Sequence, residues 1–138
     1  MKNLTKTRAR QKGQSTVELA LALLVFLPMI FGTMEFARLV YSHTWVQYVS
    51  REATRWASVR SSSTPTPATS SSVQTFVRSL AVAAIDPNQV SVTTTFTPNN
   101  NSGSTVRVQV QYPVPIVVHW VIPQSAVNVA GVSQMVIM

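Results

Sequence analysis

The sequence contains no cysteine and only four acidic residues. Without cysteine, a domain outside the cytoplasm has no disulfide and must be held together by packing and by its neighbours. The acidic residues are scattered along the chain, at Glu18, Glu35, Glu52 and Asp86. This scarcity argues against catalysis by paired carboxylates.

Other catalytic patterns are missing as well. The chain has no glycine-rich phosphate loop, no cysteine nucleophile and no plausible serine triad. His43 and His119 are the only histidines, and each is better explained as a helix-surface or strand residue than as a metal ligand. We therefore expect a protein that is not an enzyme and that needs no metal or cofactor.

Positive charge is concentrated at the N-terminus. Five of the eleven basic residues lie in the first twelve positions, at Lys2, Lys6, Arg8, Arg10 and Lys12. Basic residues beside an apolar segment stay in the cytoplasm, so we expect the N-terminus inside and the C-terminus outside. The other basic residues form no patch with interleaved aromatic residues, which argues against nucleic-acid binding despite the net charge of +7.

A run of 16 apolar or small residues follows, from Leu19 to Met34. A spanning helix needs roughly 20 such residues. The span must therefore extend, either by placing Glu18 at the inner interface or by continuing as far as Tyr41. Pro28 lacks an amide hydrogen and is expected to kink the helix, which membrane helices tolerate. The expected anchor residues are Leu19, Leu21, Leu23, Leu24, Val25, Phe26, Leu27, Pro28, Ile30 and Phe31.

A cleaved secretory signal peptide would also begin with basic residues and a short apolar run. Such a peptide has small residues at its cleavage site, after the apolar core. Here residues 32–37 read Gly-Thr-Met-Glu-Phe-Ala, with Glu35 two places before Ala37. This pattern disfavours ordinary signal cleavage.

Glu18 stands at the start of the apolar run. A carboxylate at the centre of a membrane helix costs about 2.5–3.5 kcal/mol, and less near an interface. A cut between Gly13 and Gln14 would make Glu18 the fifth residue. The new amine of a neighbouring subunit could then pair with Glu18 and fix the stagger between helices. The alternative is that Glu18 simply lies at the headgroup boundary, with its carboxylate in water.

The basic leader ending at Gly13, Glu18, the following Leu19-Ala20-Leu21 and Pro28 form one pattern, which continues at residues 34–38 and 50–57. The pattern resembles the prepilin-type start of TadE-like pseudopilins, minor components of tight-adherence (Flp-type) pilus systems. The family often has an aromatic residue directly after the glutamate, where this chain has Leu19.

The resemblance implies that a prepilin peptidase cuts between Gly13 and Gln14 and that the chain acts in pilus assembly or priming. The implied partners are other pilins or pseudopilins, the assembly platform of the inner membrane and the lipid bilayer. The implied location is the bacterial cytoplasmic membrane, with later incorporation into a pilus left open. The competing hypothesis is an uncleaved, single-pass envelope adaptor with a small extracytoplasmic interaction domain. The pilin hypothesis requires a cleavable leader and Glu18, whereas an adaptor needs neither.

Helical spacing continues beyond the span to about Arg60. Tyr41, Trp45, Tyr48 and Trp56 make an aromatic stripe, and the apolar face beside it contains Leu39, Val46, Val49 and Ala53. Tyr41 and Trp45 fit either a belt at the membrane interface or a packing surface. For Tyr48 and Trp56 we favour packing against the C-terminal domain.

Residues 61–72 contain only serine, threonine, proline and alanine, which predicts a linker. The helical spacing of apolar residues from Val73 to Ile85 predicts a short amphipathic helix. Alternation then predicts two antiparallel strands, from Val90 to Phe96 and from Val106 to Tyr112, joined by a turn at residues 99–103. Asn100-Asn101-Ser102 fits an N-glycosylation pattern, although the turn already explains these residues.

Further strand signals follow the second strand. Pro113 and Pro115 are expected to interrupt the pairing, Ile116–Ile122 to add an edge segment, and Ala126–Met138 to form a strand bent near Gly131. The apolar residues between positions 114 and 122 suggest two alternatives. They form an exposed subunit-contact patch, or Trp120 and its even-numbered neighbours face the core.

Together these features predict a pilin-like α+β protein with a long N-terminal helix and a small head. We expect a basic leader (1–13), a transmembrane helix (14–40), an exposed stem (41–60), a linker (61–72) and an extracytoplasmic head (73–138). The head should contain one short helix and a three- to four-stranded antiparallel sheet. So small a head is expected to build its core against the stem.

Overall fold

The computed structural model describes residues 4–117 and 124–138, with side chains from Gly13 onward. The predicted α+β class is confirmed, with a long N-terminal helix, one short helix and an antiparallel sheet. The elements are α1 (Leu4–Ser58), α2 (Ser70–Ser79), β1 (Ser91–Thr97), β2 (Thr105–Pro115) and β3 (Ala126–Val136). The chain divides into two compact units, Met1–Phe36 and Ala37–Met138. We call the second the head unit and residues 37–58 of α1 the stem.

The three described strands form an antiparallel sheet in the order β1-β2-β3. Successive side chains of a strand point to opposite faces, and β2 shows this alternation along its length. Val106, Val108 and Val110 are fully buried, whereas Arg107 and Gln111 are exposed. The predicted alternation is therefore confirmed, and one face of the sheet carries the core.

The stem packs within the head unit through the apolar face predicted from its sequence. Val46, Val49 and Ala53 are fully buried because residues three and four positions apart lie on one side of a helix. Small hydroxyl residues extend this buried surface, and they satisfy their polar groups within the helix. Thr54 Oγ1, for example, donates to Ser50 O at 2.7 Å, and Ser58 Oγ donates to Arg55 O at 2.9 Å.

The stem and β3 approach each other closely at Gly131. A Cβ atom at this position would lie 2.7 Å from Val46 O and 2.9 Å from Val46 C, both backbone atoms. Only glycine fits such an approach without a shift of the helix or the strand. The sequence predicted a bend near Gly131, and the structure gives the residue a packing role.

Helix α2 begins at Ser70, earlier than the predicted Val73, and ends at Ser79, before the predicted Ile85. A capping box explains the early start, since Ser72 N donates to Thr69 Oγ1 and Thr69 N donates to Ser72 Oγ. The end of the stretch predicted as linker therefore belongs to α2. The sequence pattern missed this start because serine and threonine suit linkers and helix caps alike.

The prediction that Pro113 and Pro115 interrupt the pairing is wrong, since β2 pairs with β3 as far as Pro115 and Ala126. The backbone N–H of Ile116 donates to Ser125 O, toward β3. Main-chain groups alternate in direction along a strand, so the backbone groups of the two prolines point away from β3, toward the side of β2 on which β1 lies. There β1 ends opposite Gln111, and no ladder hydrogen bond needs their missing amide hydrogens.

The predicted edge segment at 116–122 lies mostly outside the described residues. Val114 and Ile116 are buried and Val117 is exposed, so these described positions follow the alternation of a half-buried strand. Trp120 is not among the described positions.

Candidate processing site and membrane helix

Gly13 and Gln14 lie within α1 and are both exposed. A Cβ atom at Gly13 would meet nothing within 4 Å, so the space around this residue is open. Glycine disfavours a helix by about 0.8–1.0 kcal/mol relative to alanine, so Gly13 weakens the helix locally. Opening of the helix at this point would present the bond between Gly13 and Gln14 to a peptidase in extended form.

Glu18 also lies on α1 and is exposed. It follows Gln14 by four residues, which places both residues on the same side of the helix. If the chain began at Gln14, Glu18 would stand close to the helix N-terminus, where the helix dipole favours negative charge. A carboxylate here could meet the new amine of its own chain or of a neighbour.

The segment after Glu18 has no covering partner among the described residues. Every residue from Gly13 to Met34 is exposed, including all ten predicted anchor residues. Leu24 is 70% exposed and Val25 is 69% exposed. Exposure of so much apolar surface to water is unfavourable, so this surface is expected to be covered by lipid or by another protein. By length and composition the stretch Gly13–Ser58 can cross a membrane, with a mean hydropathy of 2.1 in its most apolar window. The N-terminal helix is therefore consistent with a membrane anchor.

The aromatic stripe of the stem divides between core and surface. Trp45 is only 7% exposed, its ring meets that of Tyr112 edge-on at 6.4 Å, and its Nε1 donates to Leu80 O at 3.3 Å. Tyr41 remains 48% exposed. Of the two alternatives for this pair, packing thus describes Trp45.

The expectation for Tyr48 is wrong, because its side chain is 59% exposed. The buried face of the stem is centred on Val49 and its neighbours, and Tyr48 points away from it. The expectation for Trp56 is confirmed. Its ring stacks on Phe76 of α2 with centroids 5.0 Å apart, and the Arg60 guanidinium lies 4.1 Å from its centroid.

Asn100 has a structural role that the sequence pattern did not indicate. Its Nδ2 donates to Ala68 O at 2.9 Å and to Arg60 O at 3.2 Å, and its Oδ1 is buried without a described partner. The side chain thus pins the loop between the stem and α2 onto the turn between β1 and β2. Because Nδ2 is already engaged, the structure disfavours the N-glycosylation pattern at this position.

A family comparison matches residues 13–55 to TadE-like proteins. This segment is therefore similar to TadE-like proteins. The TadE-like segment begins at Gly13 and ends within the stem, so it contains the exposed apolar helix and not the sheet. It indicates involvement in a tight-adherence pilus system, as the sequence resemblance implied. No curated protein and no solved structure gives a match to the chain.

Proposed function

We propose that this chain is a minor pilin or pseudopilin of a tight-adherence (Flp-type) pilus system. It is inserted in the cytoplasmic membrane with its N-terminus inside, processed by a prepilin peptidase, and active in pilus assembly or priming. The observation that carries the proposal is the TadE-like segment, which starts at Gly13 and whose apolar part, residues 13–34, no described part of the chain covers.

The proposed cut is hydrolysis of the peptide bond between Gly13 and Gln14. Water adds to the carbonyl carbon, the C–N bond breaks, and the products are a carboxylate at Gly13 and an amine at Gln14. The cut removes five of the eleven basic residues, which otherwise hold the terminus on the cytoplasmic side. The open space around Gly13 supports access to the bond.

Assembly would then replace lipid by neighbouring helices around the apolar segment. Helices in a membrane associate through packing and through polar contacts, since lipid tails are as apolar as leucine. A carboxylate in such surroundings is costly unless it is paired. Glu18 therefore serves as the register residue, bound to the new amine of an adjacent subunit. The partners are the peptidase, other pilins or pseudopilins and the assembly platform of the membrane.

The deciding experiment is the intact mass and N-terminal sequence of the protein isolated from its native membranes. We expect a terminus at Gln14. Gly13→Leu should leave the leader attached, because a peptidase that fits glycine has no space for a bulky residue before the scissile bond. Gly32→Leu is the matched control, since Gly32 lies on the same helix and a Cβ there also meets nothing within 4 Å. This control should be cut normally.

Other outcomes separate the competing hypotheses. A retained Met1 in the wild-type protein would favour the uncleaved adaptor. A terminus beyond Phe36 would indicate a secreted protein. Normal cutting of Gly13→Leu would place the processing site elsewhere.

A further inference from the structure

The outer edge of β3 presents backbone groups that have no partner among the described residues. Ile137 N donates to Ser104 O, toward β2, so the alternate residues of β3 direct their N–H and C=O groups away from the sheet. These outward residues include Val132, Gln134 and Val136. No described residue forms a hydrogen bond with their outward groups.

Among the described residues, hydrogen bonds from the stem close this edge at two points. Gln47 Nε2 donates to Ala130 O at 3.3 Å, and Met138 N donates to Ser58 O at 2.9 Å. The three outward residues lie between these points. Between these two hydrogen bonds, the edge of β3 is long enough to pair with a short strand.

The opposite edge of the sheet is similar. The odd-numbered residues of β2 face β1, where Ser91, Thr93 and Thr95 are their partners. The alternate residues of β1, Val92 and Thr94 among them, therefore direct their backbone groups outward. The part of the chain that the structure describes provides no hydrogen-bond partner for them.

Neither edge carries the features that usually prevent strand addition. Exposed edges are commonly protected by lysine, proline or a bulge. The sequences of β1, Ser-Val-Thr-Thr-Thr-Phe-Thr, and of β3, Ala-Val-Asn-Val-Ala-Gly-Val-Ser-Gln-Met-Val, contain neither charge nor proline. Two uncharged strands can approach each other without electrostatic repulsion.

We propose that the outer edge of β3 pairs with the outer edge of β1 in a second copy of this chain, as parallel strands. Both β1 and β3 run antiparallel to β2, so they run parallel to each other. Copies that share one orientation therefore bring β3 of one beside β1 of the next. Repetition of this contact gives an open array of heads rather than a closed dimer.

The two strand edges also match in their faces. In a parallel pair, a residue whose backbone groups point toward the neighbouring strand lies opposite a residue whose backbone groups point away from that strand. The side chains of these two residues lie on the same face of the sheet. On β3 the outward residues, such as Gln134, lie on the exposed face. On β1 the residues whose backbone groups point toward β2, such as Thr95, also have their side chains on the exposed face. The pairing therefore continues both the polar face and the core face of the sheet.

An antiparallel pair of two β3 edges is the alternative. It would reverse the stem of the second copy, because the stem runs along β3 from Val46 beside Gly131 to Ser58 beside Met138. Copies inserted in one membrane by the same segment all leave the membrane at the same end of the stem, which the parallel contact allows. This step rests on the proposed function, and it selects the parallel contact.

Cysteine cross-linking tests the proposal, since the natural chain contains no cysteine. Full-length Gln134→Cys is co-produced in membranes with Thr95→Cys or with Thr93→Cys, and the membranes are oxidised. We expect a disulfide-linked heterodimer for one of the two pairings. The control replaces the β3 variant by Arg51→Cys, an exposed position on the stem. Cross-linking no greater than this control would overturn the proposal, and so would preferential cross-linking of Gln134→Cys with itself.

A second variant tests the edge itself. Val132→Lys in the Gln134→Cys chain places a charge on the pairing edge and should lower the cross-linking yield at least tenfold. Val132→Thr, which keeps the branched shape without a charge, should lower it little. An unchanged yield with lysine would refute strand pairing.

The N-terminal mass of the same samples separates a failure of strand pairing from a failure of the proposed function. A chain that starts at Gln14 without cross-links counts against strand pairing alone, and a retained Met1 counts against the proposed function.

Discussion

At the scale of single residues, the close contact between Gly131 and Val46 constrains the packing of the head unit. The missing side chain of Gly131 lets β3 lie directly on the backbone of the stem. The sequence showed a glycine inside a strand pattern, which is compatible with a bend, a bulge or a close approach. Only the position of the helix distinguishes these alternatives.

Gly131→Ala should destabilise the head unit by about 1–3 kcal/mol, because the added methyl group overlaps backbone atoms that cannot rotate away. Thermal unfolding followed by tryptophan fluorescence, to which the buried Trp45 contributes, measures the effect. Gly32→Ala is the control, with open space at its Cβ position and no expected change. An unaltered melting temperature for Gly131→Ala would show that the stem and β3 can separate at little cost.

Asn100→Ala should loosen the loop between the stem and α2. The change removes two hydrogen bonds and leaves Ala68 O without its donor, which costs about 1–3 kcal/mol when no water replaces it, whereas Arg60 O still accepts from Ala68 N. Limited proteolysis within residues 61–68 should become faster. Asn88→Ala is the matched control, since Asn88 is exposed. Equal proteolysis of the two variants would argue against the pinning role.

At the scale of elements, periodicity predicted the stem face and the alternation of β1 and β2 because each depends on spacing within a single segment. The stem nevertheless carried two neighbouring stripes, and spacing alone cannot tell which stripe meets the sheet. Tyr48 was wrongly assigned for this reason. The position of Asn100 depends on residues more than thirty positions away, and no local pattern contains that information.

Helix α2 is attached to the stem through the stack of Trp56 on Phe76. Trp56→Ala should cost about 1–3 kcal/mol, below the usual range for a fully buried tryptophan since this ring is half-buried. Amide hydrogen exchange of residues 70–79 should accelerate more than that of β2. Tyr48→Ala is the control for loss of an exposed aromatic ring. Uniform acceleration across the head unit would mean that α2 is not attached separately.

At the scale of the whole molecule, the two units solve the problem of apolar surface differently. The head unit buries its apolar residues within itself, whereas the apolar residues of the N-terminal helix are exposed. The sequence predicted this division because an unbroken apolar run and an alternating pattern are distinct. The processing site and the partners of the chain involve other molecules, so a pattern within the chain indicates them only through its resemblance to a family.

Glu18→Gln should permit membrane insertion and cleavage but abolish pilus assembly, because the amide keeps the size of the side chain and loses the charge that pairs with an amine. Electron microscopy of pili and the N-terminal mass of the protein are the two measurements. Glu52→Gln, a change of the same kind on the stem, should assemble normally. Normal piliation of Glu18→Gln would remove the register role.

The buried interior of the described head unit has a consequence for its chemical environment. Its buried polar residues are serine and threonine, at Ser42, Ser50, Thr54, Ser58, Ser61 and Ser104, and none is a carboxylate, an imidazole or an amine. A fold that buries no carboxylate, imidazole or amine has no such group to protonate as it unfolds in acid, so acidification is expected to change its stability little. A head built in this way would keep its shape in an acidified surrounding, where a domain held by buried ion pairs would start to open.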